Sequence, residues 1–197
     1  MSFELVTIGC SWGGLGALGT IFSGLPGDFG AAIVVAQHRM AQSPDGLALS
    51  LQKRSRLPVK DAEDKEPIEP GRIYLAPPDY HLLVEPGSFA LSIDKMVQYA
   101  RPSIDVLFES AADSYGDKLI GVILTGANED GAAGLARVKQ RGGCALVQDP
   151  STAVRSEMPR AALEAVRPDR TMPLQEIGPY LADVCGRTAG DEGVRSR

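Results

Sequence analysis

The sequence predicts a three-layer α/β/α fold in which a mostly parallel, doubly wound sheet lies between helices and carries a small antiparallel β insert. Three observations lead there. Runs apolar at every position, such as Ala31-Ala32-Ile33-Val34-Val35-Ala36 and Leu119-Ile120-Gly121-Val122-Ile123-Leu124, suit parallel strands covered on both faces. Stretches with helical spacing of apolar residues alternate with them, the βα rhythm of such sheets. Between Pro58 and Ile93 the rhythm breaks into short β-rich pieces, Arg72 to Leu75, Tyr80 to Val84 and Phe89 to Ile93, separated by Pro77-Pro78-Asp79 and Pro86-Gly87. These read as the antiparallel insert.

In chain order, Leu5-Val6-Thr7-Ile8 is a strand, and Leu15, Leu18, Ile21 and Phe22 place a helix after a glycine-rich turn. The second strand stops at Gln37-His38, and the next helix includes Leu47 to Lys53. After the insert come a helix over Ser103 to Tyr115, the strand from Leu119, and a helix from Gly131 to Gln140 that ends on Gly142-Gly143 as a glycine C-cap. Cys144-Ala145-Leu146-Val147 is a further strand, and Pro159 opens a helix where proline costs least.

The chain of 197 residues fits one domain, over 1–185, followed by a flexible tail at 186–197. Its 44% hydrophobic and 23% charged residues are globular proportions. Cys10, Cys144 and Cys185 are odd in number and in no C-x-x-C pair, which argues against a disulfide framework and a zinc site and fits a reducing cytoplasm. No signal peptide precedes the first strand, and no apolar run reaches the roughly 20 residues of a membrane span. A net charge of -5 with one short basic cluster, Lys53-Arg54-Ser55-Arg56, disfavours nucleic acid as a partner.

Ligands of such sheets bind beyond the carboxyl ends of the strands, and there the residues turn polar. Gly9-x-Ser11-x-Gly13 matches a nucleophile elbow, whose tight strand-to-helix turn exposes a serine together with backbone N–H groups able to stabilise an oxyanion. The alternative is that Ser11 merely caps a helix. Of the two histidines, His38 ends a buried strand beside the elbow strand and is the better base; His81, inside a short β piece, reads as a packing or hydrogen-bonding residue. The carboxylate that would orient the imidazole is Asp130, with Glu129 and Asp149 as competitors. The order of an α/β-hydrolase needs a histidine late in the chain, and none follows His81. Gly14-Leu15-Gly16-Ala17-Leu18-Gly19 satisfies the dinucleotide fingerprint, but these glycines fall within the predicted helix and the second strand ends without an acid for a ribose.

The motifs taken together resemble the catalytic domain of CheB protein-glutamate methylesterases over residues 5–165. The resemblance rests on Ile8 to Gly14, Val34 to His38, Ile73 to Pro77 with His81-Leu82, Arg101 to Phe108, Gly121 to Gly126, Glu129 to Ala132, Gln148-Asp149 and Met158-Pro159-Arg160. It implies a serine hydrolase, without cofactor or metal, that removes methyl groups from glutamate methyl esters and deamidates glutamines on the cytoplasmic helices of chemoreceptors. Ser11 would be the nucleophile, His38 the base and Asp130 the acid, with Trp12, Gly13, Ala127 and Met158 around the oxyanion and substrate. Trp12 stands where the family usually has threonine and Ala127 where it has methionine, which keeps open a rival reading as a weakened receptor-binding module. The implied partners are the methylated receptor and, with no receiver domain ahead of the first strand, a separate response-regulator or receiver protein. Arg39, Arg101 and Arg155, near loop ends, are candidates for contacting acidic residues of the substrate.

Overall fold

Strand β1 (Leu5–Cys10), the first of the computed structural model, is buried along its whole length and is followed by α1 (Gly14–Ser23), β2 (Ala32–Gln37) and α2 (Leu47–Gln52). The structure describes residues 3–39 and 46–186, so the expected tail lies, beyond Gly186, outside the described residues. Next come β3 (Val59–Asp61), β4 (Ile73–Leu75), β5 (His81–Glu85) and β6 (Ser88–Ser92). The rest is α3 (Ile104–Tyr115), β7 (Leu119–Ile123), α4 (Ala132–Gln140), β8 (Cys144–Gln148), α5 (Glu157–Ala165), β9 (Arg170–Met172) and α6 (Leu174–Val184).

Seven strands form one parallel sheet in the order β3-β4-β2-β1-β7-β8-β9. Side chains alternate across it with the strand period of two. Val6, Ile8, Ile33, Val35, Ile120 and Val122 pack with α1, α2 and α6, whereas Leu5, Val34, Leu119 and Ile123 pack with α3, α4 and α5. Burial on both faces is what made these runs apolar at every position. Among the described residues no helix is long and apolar enough to cross a membrane.

The antiparallel insert is smaller than expected. Among the described strands only β5 and β6 pair antiparallel, in a hairpin turned at Pro86-Gly87 with Gly87 at φ +80. β3 and β4 instead extend the main sheet in parallel. The physical difference is the connection: the hairpin turns in two residues, while 62–72 is long enough to carry the chain back to the start of a parallel neighbour. Pro159 sits third in α5 rather than at its start, still within the first turn, where its missing N–H has no intrahelical acceptor to satisfy. α4 ends as expected on glycine: the amides of Gly142 and Gly143 donate to the carbonyls of Lys139 and Val138 in a Schellman arrangement. β9 and α6 were not foreseen; Pro179 inside α6 hides a helix whose Ile177 and Leu181, one turn apart, are both buried.

The amino ends of α3 and α4 meet beside the sheet, and each is capped by the other's carboxylate. Asp130, just before α4, accepts from the amides of Ile104 (2.7 Å) and Asp105 (3.0 Å) in the first turn of α3. Asp105 in turn accepts from the amides of Gly131 (2.9 Å) and Gly134 (2.7 Å) at the start of α4. Both carboxylates thus face the positive end of a helix dipole. The approach is close enough to require a glycine, since a Cβ on Gly134 would lie 3.0 Å from Asp105 Cα and 2.7 Å from Phe108 Cβ.

Two outcomes follow. Gly134→Ala lowers the unfolding free energy measured in urea by about 1–3 kcal/mol, because the obstacle includes backbone. The second concerns Asp105, whose pKa burial pushes up from 3.8 to about 6, with the Asp130 charge adding to the rise against the amides it accepts. The folded state then holds a proton that the unfolded chain has released between about pH 4 and 6, so this group's contribution to stability falls as pH rises through that window. Asp105→Asn keeps an acceptor for both amides and removes the charge. Urea titrations at pH 5 and pH 8 show the variant gaining on the wild type at the higher pH, by about 1–3 kcal/mol.

Candidate active site

Parallel pairing sets the site's geometry. β1 and β2 stay in register to Cys10 and Gln37, and the next amide, His38 N–H, donates to the Cys10 carbonyl at 3.1 Å. On the other side of β1, Ser11 N–H donates to the Thr125 carbonyl at 2.9 Å. Ser11, His38 and the loop after β7 therefore share the carboxyl edge of three neighbouring strands. The helix after β1 lies on one face and the helix after β7 on the other, so this edge is the switch point of the sheet.

Directly after Ser11 the chain turns, with the Ser11 carbonyl accepting the Gly14 amide at 2.9 Å and Gly13 at φ +83, a left-handed conformation that suits glycine. A Cβ at Gly13 would also lie 2.8 Å from Val154. Trp12 occupies the outer corner, 64% exposed, with the Arg155 guanidinium 5.9 Å from its ring centroid. The amides of Trp12 and Ala127 have no hydrogen-bond acceptor among the described residues. Gly14, Gly16 and Gly19 all lie within α1, not in a loop that could cradle phosphates.

Opposite this turn, His38 Nε2 lies 2.7 Å from Asp130 Oδ2. Asp130 is fully buried and also accepts from Ser103 Oγ at 2.9 Å, in addition to the two α3 amides. Burial alone would raise its pKa, but the bond from His38 and the amides of Ile104 and Asp105 outweigh it and hold the carboxyl below its ordinary value. An ionised carboxylate only accepts, so the ring hydrogen sits on Nε2 and the lone pair on Nδ1. Of the competing acids, Glu129 is exposed, and Asp149 accepts from the Ser151 amide and hydroxyl at 2.8 Å.

His81 has the hydrogen-bonding part expected of it. It is buried, accepts the Ser103 amide at Nδ1 (3.2 Å), donates from Nε2 to the Lys95 carbonyl (3.0 Å), and so holds the start of α3 where Asp130 needs it. Ala127 is exposed, whereas Met158 is 1% exposed and fills the space against Gly126, so it supports the 125–130 loop from below instead of lining open surface. Arg39 is bound to Asp61 (2.7 Å) and the Ala76 carbonyl (2.6 Å), and Arg101 to Asp79 and the carbonyls of Ile93 and Asp94. Both arginines are thus tied down inside the protein. Cys10, beside Ser11, is buried, and burial pushes its thiol far above the range of a reactive cysteine.

Several residues of the site had no role assigned from the sequence. Thr125 Oγ1 donates to the Trp12 carbonyl (2.9 Å) and accepts the Arg155 amide (2.9 Å), and Gln148 Oε1 accepts the Thr125 amide (2.9 Å); both residues are buried and fasten the serine turn to the 125–130 loop. Their signal was their place just past apolar runs and within the motifs that carry the family resemblance. Ser103, Asp105 and Asn128 act through contacts across the fold, which spacing along the chain does not encode. Among the described residues, no three His, Cys, Asp or Glu side chains are grouped to hold a metal. A cavity of about 530 Å³ opens on the His38 side, lined among others by Arg39, Met96, Tyr99, Arg101 and Asn128.

Comparison with known proteins places this arrangement. The family model described as CheB methylesterase matches residues 6–181. A protein of Leptospira interrogans serogroup Icterohaemorrhagiae serovar copenhageni, named for protein-glutamate methylesterase and protein-glutamine glutaminase activity, is 50% identical over 178 residues, covering 90% of this chain and 92% of the relative. Protein-glutamate methylesterase/protein-glutamine glutaminase 2 of Anaeromyxobacter dehalogenans is 44% identical over 181 residues, 92% of this chain but 53% of that longer protein. The crystal structure of the Thermotoga maritima CheB methylesterase catalytic domain superposes with a TM-score of 0.88 at 37% identity, covering 93% of this chain and 99% of that one. With the family model spanning nearly the whole sheet and its helices, the chain belongs to the CheB methylesterase family.

Proposed function

We propose that this protein is a serine hydrolase that removes methyl groups from glutamate methyl esters, and deamidates glutamines, on the cytoplasmic helices of chemoreceptors, with Ser11, His38 and Asp130 as its triad. The observation that carries the reading is the 2.7 Å bond between His38 and a buried, ionised Asp130, one strand from a serine at the sheet's switch point. Family membership supplies the substrate class.

In this mechanism Ser11 Oγ attacks the ester carbonyl as its proton passes to His38. With Nε2 bound to Asp130, Nδ1 is the nitrogen that receives it. The Trp12 and Ala127 amides, free of other acceptors, supply donors to the oxyanion; the second survives the change of side chain at 127 because it belongs to the backbone. The C–O bond to the methoxy group then breaks, His38 returns the proton to departing methanol, and water activated by the same histidine releases the acyl group. Asp130 stays ionised throughout and stabilises the imidazolium. A glutamine side chain follows the same course with ammonia as the leaving group.

Arg39 and Arg101 are held at hydrogen-bond distance by Asp61 and Asp79, whereas Arg155 meets Glu157 more loosely at 3.8 Å, so Arg155 is the better placed of the three arginines to meet an acidic neighbour of the scissile ester. It stands half-exposed over Trp12, on the serine side of the site. A separate receiver protein is the proposed regulator.

Methanol release from a methylated chemoreceptor cytoplasmic fragment tests the reading. Wild-type protein releases methanol, Ser11→Ala abolishes release, and Asp130→Asn slows it by on the order of 10⁴ by presenting the wrong partner to the imidazole. A wild type that binds the fragment but releases nothing would hand the function to the receptor-binding reading.

A further inference from the structure

Asn128 occupies the one nitrogen that the chemistry needs. Its Oδ1 accepts the Asp130 amide at 3.3 Å, which decides how the carboxamide is turned. The other end, Nδ2, therefore faces His38 and lies 3.2 Å from Nδ1. Since Nε2 carries the ring hydrogen toward Asp130, Nδ1 holds the only lone pair of the imidazole, and the Asn128 N–H points at it. Among the described residues no hydrogen bond joins Ser11 Oγ to His38. One lone pair cannot take both donors.

We propose that Asn128 is a positioning residue that acts as a latch on the base: in the resting enzyme it competes with Ser11 for His38 Nδ1, and the serine is activated only when the carboxamide lets go. The inference rests on the serine-hydrolase reading. The latch is specific to the neutral ring. Once the Ser11 proton has reached Nδ1, a returning carboxamide would set two donors face to face, so the imidazolium keeps Asn128 away and its own N–H stays free to serve the leaving group. Asn128 also borders the cavity beside His38 together with Met96 and Tyr99, so a substrate chain entering there can touch the latch directly.

The alternative role is a scaffold: Asn128 serves only to hold the Asp130 amide through Oδ1. The two roles order the variants differently. Asn128→Asp keeps an acceptor for that amide but sets an acceptor against Nδ1, which favours a protonated ring and removes the base. Asn128→Ala loses the acceptor but frees the lone pair. A latch gives Ala faster than wild type and Asp slower; a scaffold gives Asp close to wild type and Ala slower.

The rate is best read with a fluorophosphonate, in which the Ser11 Oγ–P bond forms, the P–F bond breaks, fluoride departs and His38 holds the serine proton. This probe needs no receptor, and Ser11→Ala is the blank. Asn128→Ala is expected to be labelled roughly two- to tenfold faster than wild type, the range of one ordinary hydrogen bond. Long-range ¹H–¹⁵N spectra give an independent reading, because the chain has only two histidines. The His38 Nδ1 resonance moves in Asn128→Ala while Nε2, held by Asp130, stays in place. Labelling of Asn128→Ala no faster than wild type, with Asn128→Asp at the wild-type rate, overturns the latch and leaves the hydrolase standing. If no variant is labelled, the serine-hydrolase reading falls instead, and an unmoved Nδ1 resonance then overturns the Asn128 contact as well.

Discussion

Two helices that point their amino ends at each other would leave unsatisfied N–H groups and two positive dipole ends buried face to face. Here Asp105 and Asp130 resolve both problems by exchange, each carboxylate accepting amides from the helix that the other belongs to or precedes. The exchange fixes α3 against α4 at a separation that a methyl group on Gly134 would disturb. It also gives the two acids opposite electrostatic characters. Asp130 collects enough donors to overcome burial and remains ionised, while Asp105, beside that charge, is pushed up to about 6.

The geometry of the proposed triad depends on this exchange more than on the serine turn. A carboxylate that is fully buried would ordinarily lose its charge, and a neutral acid could not hold an imidazole in one tautomer. The α3 amides and Ser103 Oγ keep Asp130 charged and immobile, so its remaining capacity is directed at His38. His81 belongs to the same construction, because it holds the Ser103 amide at the very start of α3. The hairpin β5–β6, which reads in isolation as decoration, thereby reaches the proposed triad through two hydrogen bonds, His81 to the Ser103 amide and Ser103 Oγ to Asp130.

On the serine side the same economy appears in Thr125 and Gln148. Both are buried polar residues with their groups engaged, and together they tie the ends of β7 and β8 to the turn after Ser11. The serine, the histidine and the acid thus rest on three strand ends and two helix starts whose relative positions are set by backbone hydrogen bonds. Trp12 and Arg155 lie outside this framework at the surface, where substitution alters what the site meets rather than how it is built.

Much was legible in the chain itself. Runs apolar at every position could only be strands covered on both faces, and the polar residues that ended them marked the edge where Ser11, His38 and Asp130 would stand; local composition fixes these because burial acts residue by residue. Strand direction was less legible: β3 and β4 look like the hairpin strands in composition, and only the length of the connection between them sets them parallel. α6 was hidden by Pro179, whose local cost is overridden by the burial of Ile177 and Leu181. Residue types and spacing left Asp130, Glu129 and Asp149 open and the family resemblance alone pointed to Asp130; the ionisation that makes it useful and the placing of Asn128 on His38 were decided by tertiary structure. Each depends on donors brought in from more than 20 residues away along the chain, and a hydrogen bond is set by distance and direction in space, neither of which sequence spacing records.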